Sequence, residues 1–221
     1  MSVNYKIVGE GFPIIMLHGN GENHHVFDQL ANDLSDYQCI LIDANYEGKI
    51  SYQKLCDDVI DVIHILQLNA YDVIGFSDGG IIALMLGMQE EHVQHIITLG
   101  ANTNPYMIKP FFLINSYIRL ICLLPFCIYQ RKARLSFKLT KMMLTEPHIS
   151  YESLSDIKIP VLVMAGEYDL IKKEDTQNIA EALPYSILRI IPQGNHFLLR
   201  DYYKQTYHEI RLFLDTCHKE D

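Results

Sequence analysis

The stretch Tyr71-Asp72-Val73-Ile74-Gly75-Phe76-Ser77-Asp78-Gly79-Gly80 constrains the fold of this chain more than any other. A short apolar run with the β-branched pair Val73 and Ile74 enters a serine that has a glycine two residues away on either side. The sequence then continues with Ile81, Ile82, Leu84, Met85 and Met88 on a broad helical apolar face. This pattern predicts a strand that turns sharply into a helix, with Ser77 at the turn. In that context G-x-S-x-G is a nucleophile elbow, which holds a serine hydroxyl out at the end of a sheet. Without a Cβ at Gly75 and Gly79 the backbone can turn tightly and the helix can close onto the strand, and Gly80 lets the first helical turn pack. The helix N-terminus behind Ser77 offers unpaired N–H groups and the positive end of a dipole, a setting suited to a developing negative charge.

The rest of the chain alternates in the same manner. An edge strand is expected over 5–8, buried strands over 13–17 and 95–100, and further strands over 39–43, 159–166 and 186–191, with helices over 23–34, 51–68, 173–183 and 202–217 between and after them. Asn23 is the expected N-cap of the first helix. Strands separated by helices mean a mostly parallel sheet covered on both faces, hence the α/β class. At 221 residues, 49% hydrophobic and 20% charged, one domain with an insertion is the economical reading. The core is expected over 1–102 and 157–221, with a helical lid over 103–156.

Within that insertion the strand rhythm stops and the charge changes sign. Lys109, Arg119, Arg131, Lys132, Arg134, Lys138 and Lys141 face only Glu146, Glu152 and Asp156. The run 110–129 approaches the apolarity of a membrane span, yet Asn115, Arg119 and Pro125 interrupt it. The expectation is a lid helix, not a transmembrane span, that presents apolar residues to a pocket or to a membrane surface.

A formal net charge of −9 argues against a general nucleic-acid binder, which needs a basic surface to neutralise phosphates. The cysteines Cys39, Cys56, Cys122, Cys127 and Cys217 are odd in number and contain no C-x-x-C pair, so neither a disulfide framework nor a zinc knuckle is expected. A reducing cytoplasm fits, and the N-terminus lacks the basic and apolar regions of a secretory signal. No metal site and no cofactor are expected.

Ser77, Asp169 and His196 each fall just past the carboxyl end of an expected strand, the edge where open α/β sheets place ligand chemistry. Their chain order, Ser then Asp then His, is the one this elbow architecture requires. A second glycine loop, His18-Gly19-Asn20-Gly21-Glu22-Asn23, ends another strand and can aim the Asn20 backbone N–H at the same place. Asp43 is expected to cap a loop. The Asp78 side chain is expected to be structural, its charge favourable at a helix N-terminus.

On His18-Gly19, Gly75 to Gly80, Gly166-Glu167-Tyr168-Asp169 and Gly194-Asn195-His196-Phe197, the chain resembles the α/β-hydrolase fold family over nearly its whole length outside the insertion. The resemblance implies a serine hydrolase of the carboxylesterase-like branch acting on a small acyl substrate. Ser77 would be the nucleophile, His196 the base, Asp169 its orienting acid, and the backbone N–H groups of Asn20 and Asp78 the oxyanion hole. His24 and His25 are placed at the substrate pocket or at a solvated helix start, and Phe197 at the substrate pocket. Some relatives carry the acid after the strand that here ends at Gly100, but Asn102 and Asn104 cannot supply a carboxylate. Branches that displace halide or open epoxides use an aspartate nucleophile, so a serine at 77 disfavours those reactions. The alternative is a ligand-sensing or protein-interacting protein of the same fold with slow or no turnover. The loop 44–51 is short and the lid modest compared with larger family members.

Overall fold

The computed structural model describes residues 3–218, and its sheet is built from the short apolar runs of the sequence. Strands β1 (Tyr5–Val8), β2 (Pro13–Leu17), β3 (Gln38–Ile42), β4 (Tyr71–Phe76), β5 (Val93–Leu99), β6 (Val161–Gly166) and β7 (Ser186–Ile191) form one sheet in the order β1-β3-β2-β4-β5-β6-β7. Only β1 is antiparallel, pairing Tyr5 with Ile42 at the edge. Ile15, Ile40, Val73, Ile96 and Val163 face one apolar layer, whereas Met16, Leu41, Ile74, Ile97 and Met164 face the other. Because both faces of β2 to β6 are largely buried, those strands read as continuous apolar runs, whereas the edge strand β7 alternates.

Helices α1 (Asp28–Asp33), α2 (Tyr52–Leu66) and α3 (Asp78–Gln89) follow the first strands. Ser51 caps α2 by accepting from the Lys54 backbone N–H, and Gln67 closes it in the left-handed region at φ 52°. The cap over the sheet edge holds α4 (Pro110–Leu123), α5 (Arg131–Thr145) and the short α6 (Tyr151–Leu154), with 3₁₀ turns at Pro105–Met107 and Leu124–Cys127. Helices α7 (Lys173–Ala182), α8 (Leu198–Asp201) and α9 (Tyr203–Cys217) complete the fold. The two apolar layers are divided by the sheet: α2, α3 and α7 contribute to one, α1, α8 and α9 to the other.

Two local expectations change. The region expected as one helix over 23–34 is a 3₁₀ turn, His24–Phe27, leading into the six-residue α1. Asn23 does cap it, its side chain accepting from the His25 N–H two residues on. Strand β5 also begins earlier than expected, at Val93, because Tyr71 at the start of β4 pairs there.

Candidate active site

The turn after β4 is built by close contacts that no side chain could share. A Cβ on Gly75 would lie 2.1 Å from the Gly79 carbonyl oxygen, and one on Gly79 would lie 1.9 Å from the Leu17 carbonyl oxygen. Helix α3 can therefore rest directly against β2 and β4. Between these glycines Ser77 is held at φ 54° and ψ −115°, a region unfavourable for a residue with a Cβ by about 1–3 kcal/mol. Its backbone N–H donates to the Leu99 carbonyl at 2.7 Å, and its own carbonyl accepts from Gly80 and Ile81 at 2.9 and 3.1 Å. The strained conformation is thus fixed from both sides.

The loops after β6 and β7 bring two further side chains to Ser77. The Ser77 hydroxyl lies 3.0 Å from His196 Nε2, and His196 Nδ1 lies 2.8 Å from Asp169 Oδ1. Asp169 and His196 are buried, while Ser77 is partly open to the cavity. Burial alone would raise the Asp169 pKa, but the hydrogen bond and charge of His196, with backbone N–H groups of Ile171 and Gly166, outweigh it and hold the carboxyl below its usual range. An ionised Asp169 accepts from His196, so Nδ1 carries the proton and Nε2 is left to accept from the serine hydroxyl. The Phe76 ring stacks obliquely against the imidazole with centroids 5.1 Å apart.

The Asn20 loop reaches the same place through a contact that no local pattern announces. Asn20 Nδ2 donates to Asp78 Oδ2 at 2.8 Å, and the Tyr52 hydroxyl donates to Asp78 Oδ1 at 2.8 Å. Asp78 is buried, and the cost of desolvating its charge raises its pKa despite these two donors. So its side chain is more than a favourable charge at the head of α3: it ties the elbow to the Asn20 loop. As the first residue of α3, Asp78 has a backbone N–H with no acceptor one turn back. Glu22, whose carboxylate accepts from the Gly19 N–H at 3.2 Å, braces the loop from its far side.

A cavity of about 200 Å³ opens over these groups, lined by Asn20, Ser77, Asp78 and His196, with Arg119 and Met143 reaching in from the cap. A second, of about 540 Å³, adjoins it across Glu22, Phe76 and Phe197. Phe197 borders both, and His25 lines the second. His24 does not line either; its backbone and ring both donate to Asp43, which is the loop-holding role expected of Asp43. His18 is a loop staple: the Ala44 N–H donates to its Nε2 at 3.0 Å, so the proton is on Nδ1, which donates to the Gly19 carbonyl at 2.8 Å. Burial lowers its pKa, consistent with a neutral ring. Asn102 lines the Ser77 cavity, its amide donating to the Asn104 carbonyl.

Two clusters among the described residues bring His and Asp donor atoms within 4.8 Å of one another: His24, His25 and Asp28, and Asp72, His95 and His218. The first is local in sequence, whereas nothing in the chain spacing of Asp72, His95 and His218 announces the second. Neither lines the Ser77 cavity. Asp28 pairs with His25, and Asp72 accepts from His95 at 2.8 Å and His218 at 2.7 Å.

Residues 13–117 match the sequence model of a family described as alpha/beta hydrolase fold. The AB hydrolase superfamily protein YisY of Bacillus subtilis is 33% identical over 114 residues, covering 47% of this chain and 42% of that protein. The pimeloyl-[acyl-carrier protein] methyl ester esterase of a Shewanella species is 33% identical over 99 residues, covering 42% and 36%. The matched region thus spans less than half the length of either relative. Among solved structures, a lipase-esterase related protein from Clostridium acetobutylicum superposes with a TM-score of 0.78 at 23% identity, covering 96% of this chain and 100% of that one.

Proposed function

Starting from a chain that belongs to the α/β-hydrolase fold family, we propose that it is a serine hydrolase that cleaves a small carboxylic ester through an acyl-serine intermediate. The observation that carries this reading is the unbroken file from Asp169 through His196 to the Ser77 hydroxyl, with contacts of 2.8 and 3.0 Å. An ester-hydrolysing protein among the relatives of similar sequence supports it.

In the proposed cycle His196 Nε2 takes the proton as Ser77 Oγ attacks the acyl carbonyl. Asp169 stabilises the imidazolium that results, and Nε2 then delivers the proton to the departing alcohol. The carbonyl oxygen gains charge beside the backbone N–H groups of Asp78 and Asn20, each such donor contributing about 3 kcal/mol to the transition state in serine hydrolases. Water repeats the sequence in reverse to free Ser77. The strained Ser77 backbone keeps the hydroxyl aimed along this path instead of folding back onto α3.

The site favours a short acyl group. A cavity of about 200 Å³ is smaller than the pockets that enclose drug-sized ligands, roughly 300 Å³ and upward. The adjoining space past Phe76 and Phe197 would take the alcohol portion. Cys39, Cys56, Cys122, Cys127 and Cys217 are all unpaired, in keeping with work in the cytoplasm. The test is a panel of p-nitrophenyl esters of rising acyl length. Activity is expected to be highest for acetyl to butyryl and to fall with longer chains, and to disappear in Ser77→Ala. A folded protein that turns over no ester in the panel would overturn the reading in favour of a ligand-sensing role.

A further inference from the structure

Helix α4 and the turn after it carry their apolar residues on the wrong side for a protein surrounded by water. In a surface helix the apolar stripe faces inward and the outer face is polar. Here the outer face presents Phe111, Ile114, Ile118, Ile121, Ile128 and Tyr129, each more than half exposed. The inner row, Leu113, Ser116, Leu120 and Leu123, is only partly covered where α4 lies on α5. The segment Pro110–Cys127 has a mean hydropathy of 1.6, yet none of it is buried. Contiguous apolar surface on this scale marks an interaction site.

Charge selects the occupant. Residues 103–156 carry seven Lys and Arg against three Asp and Glu, a net of +4, and since the whole chain carries −9 the remainder carries −13. The cations concentrate beside the apolar face. Arg131, Arg134 and Lys138 line a groove of about 620 Å³ against the loop holding Glu47. Arg134 and Lys138 there donate to the carbonyls of Cys127, Ile128 and Gly48, neutral acceptors that leave their charge uncancelled. Arg131 has only a loose contact with Glu47 at 4.0 Å. A second copy seated face to face would bring two such basic patches together, which costs affinity. An anionic bilayer instead attracts the cap and repels the acidic remainder, so it also fixes the orientation. With the 3₁₀ turn that continues it, the segment Pro110–Cys127 is 18 residues, long and apolar enough by itself to cross a membrane, but α4 lies along α5, whose Arg131, Lys132, Arg134, Lys138 and Lys141 would have to enter the hydrocarbon with it. Pro125 and Arg119 interrupt the segment as well.

We propose that the outer face of α4 docks in the plane of an anionic lipid bilayer, with the phenylalanine and isoleucine side chains at the acyl boundary and the Arg131–Lys138 cations among the headgroups. This surface is independent of hydrolysis, so it is tested with the Ser77→Ala protein. The probe is flotation with vesicles of one part phosphatidylglycerol to two parts phosphatidylcholine, against phosphatidylcholine alone. The protein is expected to float with the anionic vesicles only and to be released by high salt. Ile114→Asp/Ile121→Asp should abolish flotation while leaving the melting temperature and, on the Ser77 background, ester hydrolysis unchanged, because both side chains point away from the core. Arg131→Ala/Lys132→Ala should weaken binding roughly 25-fold, at about fivefold per cation removed. The proposal is overturned if the protein stays in solution with anionic vesicles, or if flotation ignores both pairs of substitutions. It is also overturned if sedimentation finds a dimer that Ile114→Asp/Ile121→Asp dissolves while lipid binding is absent.

Discussion

Gly100 offers the sharpest perturbation of the file of groups at Ser77. It follows β5 at φ +66°, and a Cβ built on it would lie 2.8 Å from His196 Cε1, 2.9 Å from His196 Nδ1 and 3.3 Å from Asp169 Oδ2. Carbon atoms rest at about 3.5–4.0 Å, so in Gly100→Ala the imidazole must retreat by roughly 0.7–1.2 Å. It is held at 2.8 Å to Asp169 and 3.0 Å to Ser77, and it cannot move that far and keep both contacts. A misplacement of about 1 Å costs on the order of 100-fold in rate, equivalent to about 2.7 kcal/mol in the barrier. The left-handed backbone adds about 1–2 kcal/mol of lost stability for alanine. Gly48→Ala separates the two effects, because Gly48 sits at φ +71° with nothing within 4 Å of the added Cβ. The assay is kcat/KM on the preferred p-nitrophenyl ester, with urea denaturation alongside. Both variants should lose the backbone contribution, Gly100→Ala should lose about 1–3 kcal/mol more because its Cβ crowds buried groups, and only Gly100→Ala should lose activity. If folded Gly100→Ala stays within about threefold of Gly48→Ala in kcat/KM, the reasoning about His196 is refuted.

Other predictions rest on the buried polar contacts. Tyr52→Phe removes one of two donors to the buried Asp78 carboxylate and should destabilise the protein by about 1.5–3 kcal/mol in urea titrations. The Tyr52 hydroxyl favours the ionised form, so this loss should be largest at high pH and shrink in acid; a loss independent of pH would contradict the assignment. At the opposite end of the sheet, burial lowers the His95 pKa, but hydrogen bonds and charge from Asp72 and Cys217 prevail and push it up to about 9. His218 and the edge of the Phe213 ring complete its surroundings. A folded pKa above the unfolded value of 6.5 means the stabilisation is complete below 6.5 and disappears as pH rises through about 9. The melting temperature of wild type should therefore exceed that of His95→Gln most below pH 6.5, and the gap should narrow above 9; a gap that widens in alkali would reverse the sign.

What the sequence could disclose was whatever one segment determines by itself. Apolar runs such as Ile14 to Leu17 and Val161 to Met164 identify buried strands because both faces are covered, and the glycines around Ser77 announce a turn that only they permit. Ser77, Asp169 and His196 could be singled out because each sits where a strand ends, a position that periodicity locates. Tyr52 could not. It lies at the start of α2, with a local pattern no different from a core residue, and its hydroxyl finds Asp78 only through tertiary packing across 26 residues. The same holds for Arg119 and Met143, which meet the cavity because of how the cap lies on the sheet edge. His24 misleads in the other direction: proximity in sequence to the Asn20 loop suggested a pocket residue, but Asp43, at the end of a neighbouring strand, captures its ring. Nor could spacing along the chain foresee His218, 146 residues from its partner Asp72.

The most direct measurement is the mass of the intact protein after brief exposure to a fluorophosphonate, followed by peptide mapping. A single adduct is expected on Ser77, formed rapidly in wild type, slowed on the order of 100-fold or more in His196→Ala, and absent in Ser77→Ala. Labelling of another serine, or of Ser77 at the same rate when His196 is gone, would mean that the contacts between Ser77, His196 and Asp169 do not activate the hydroxyl.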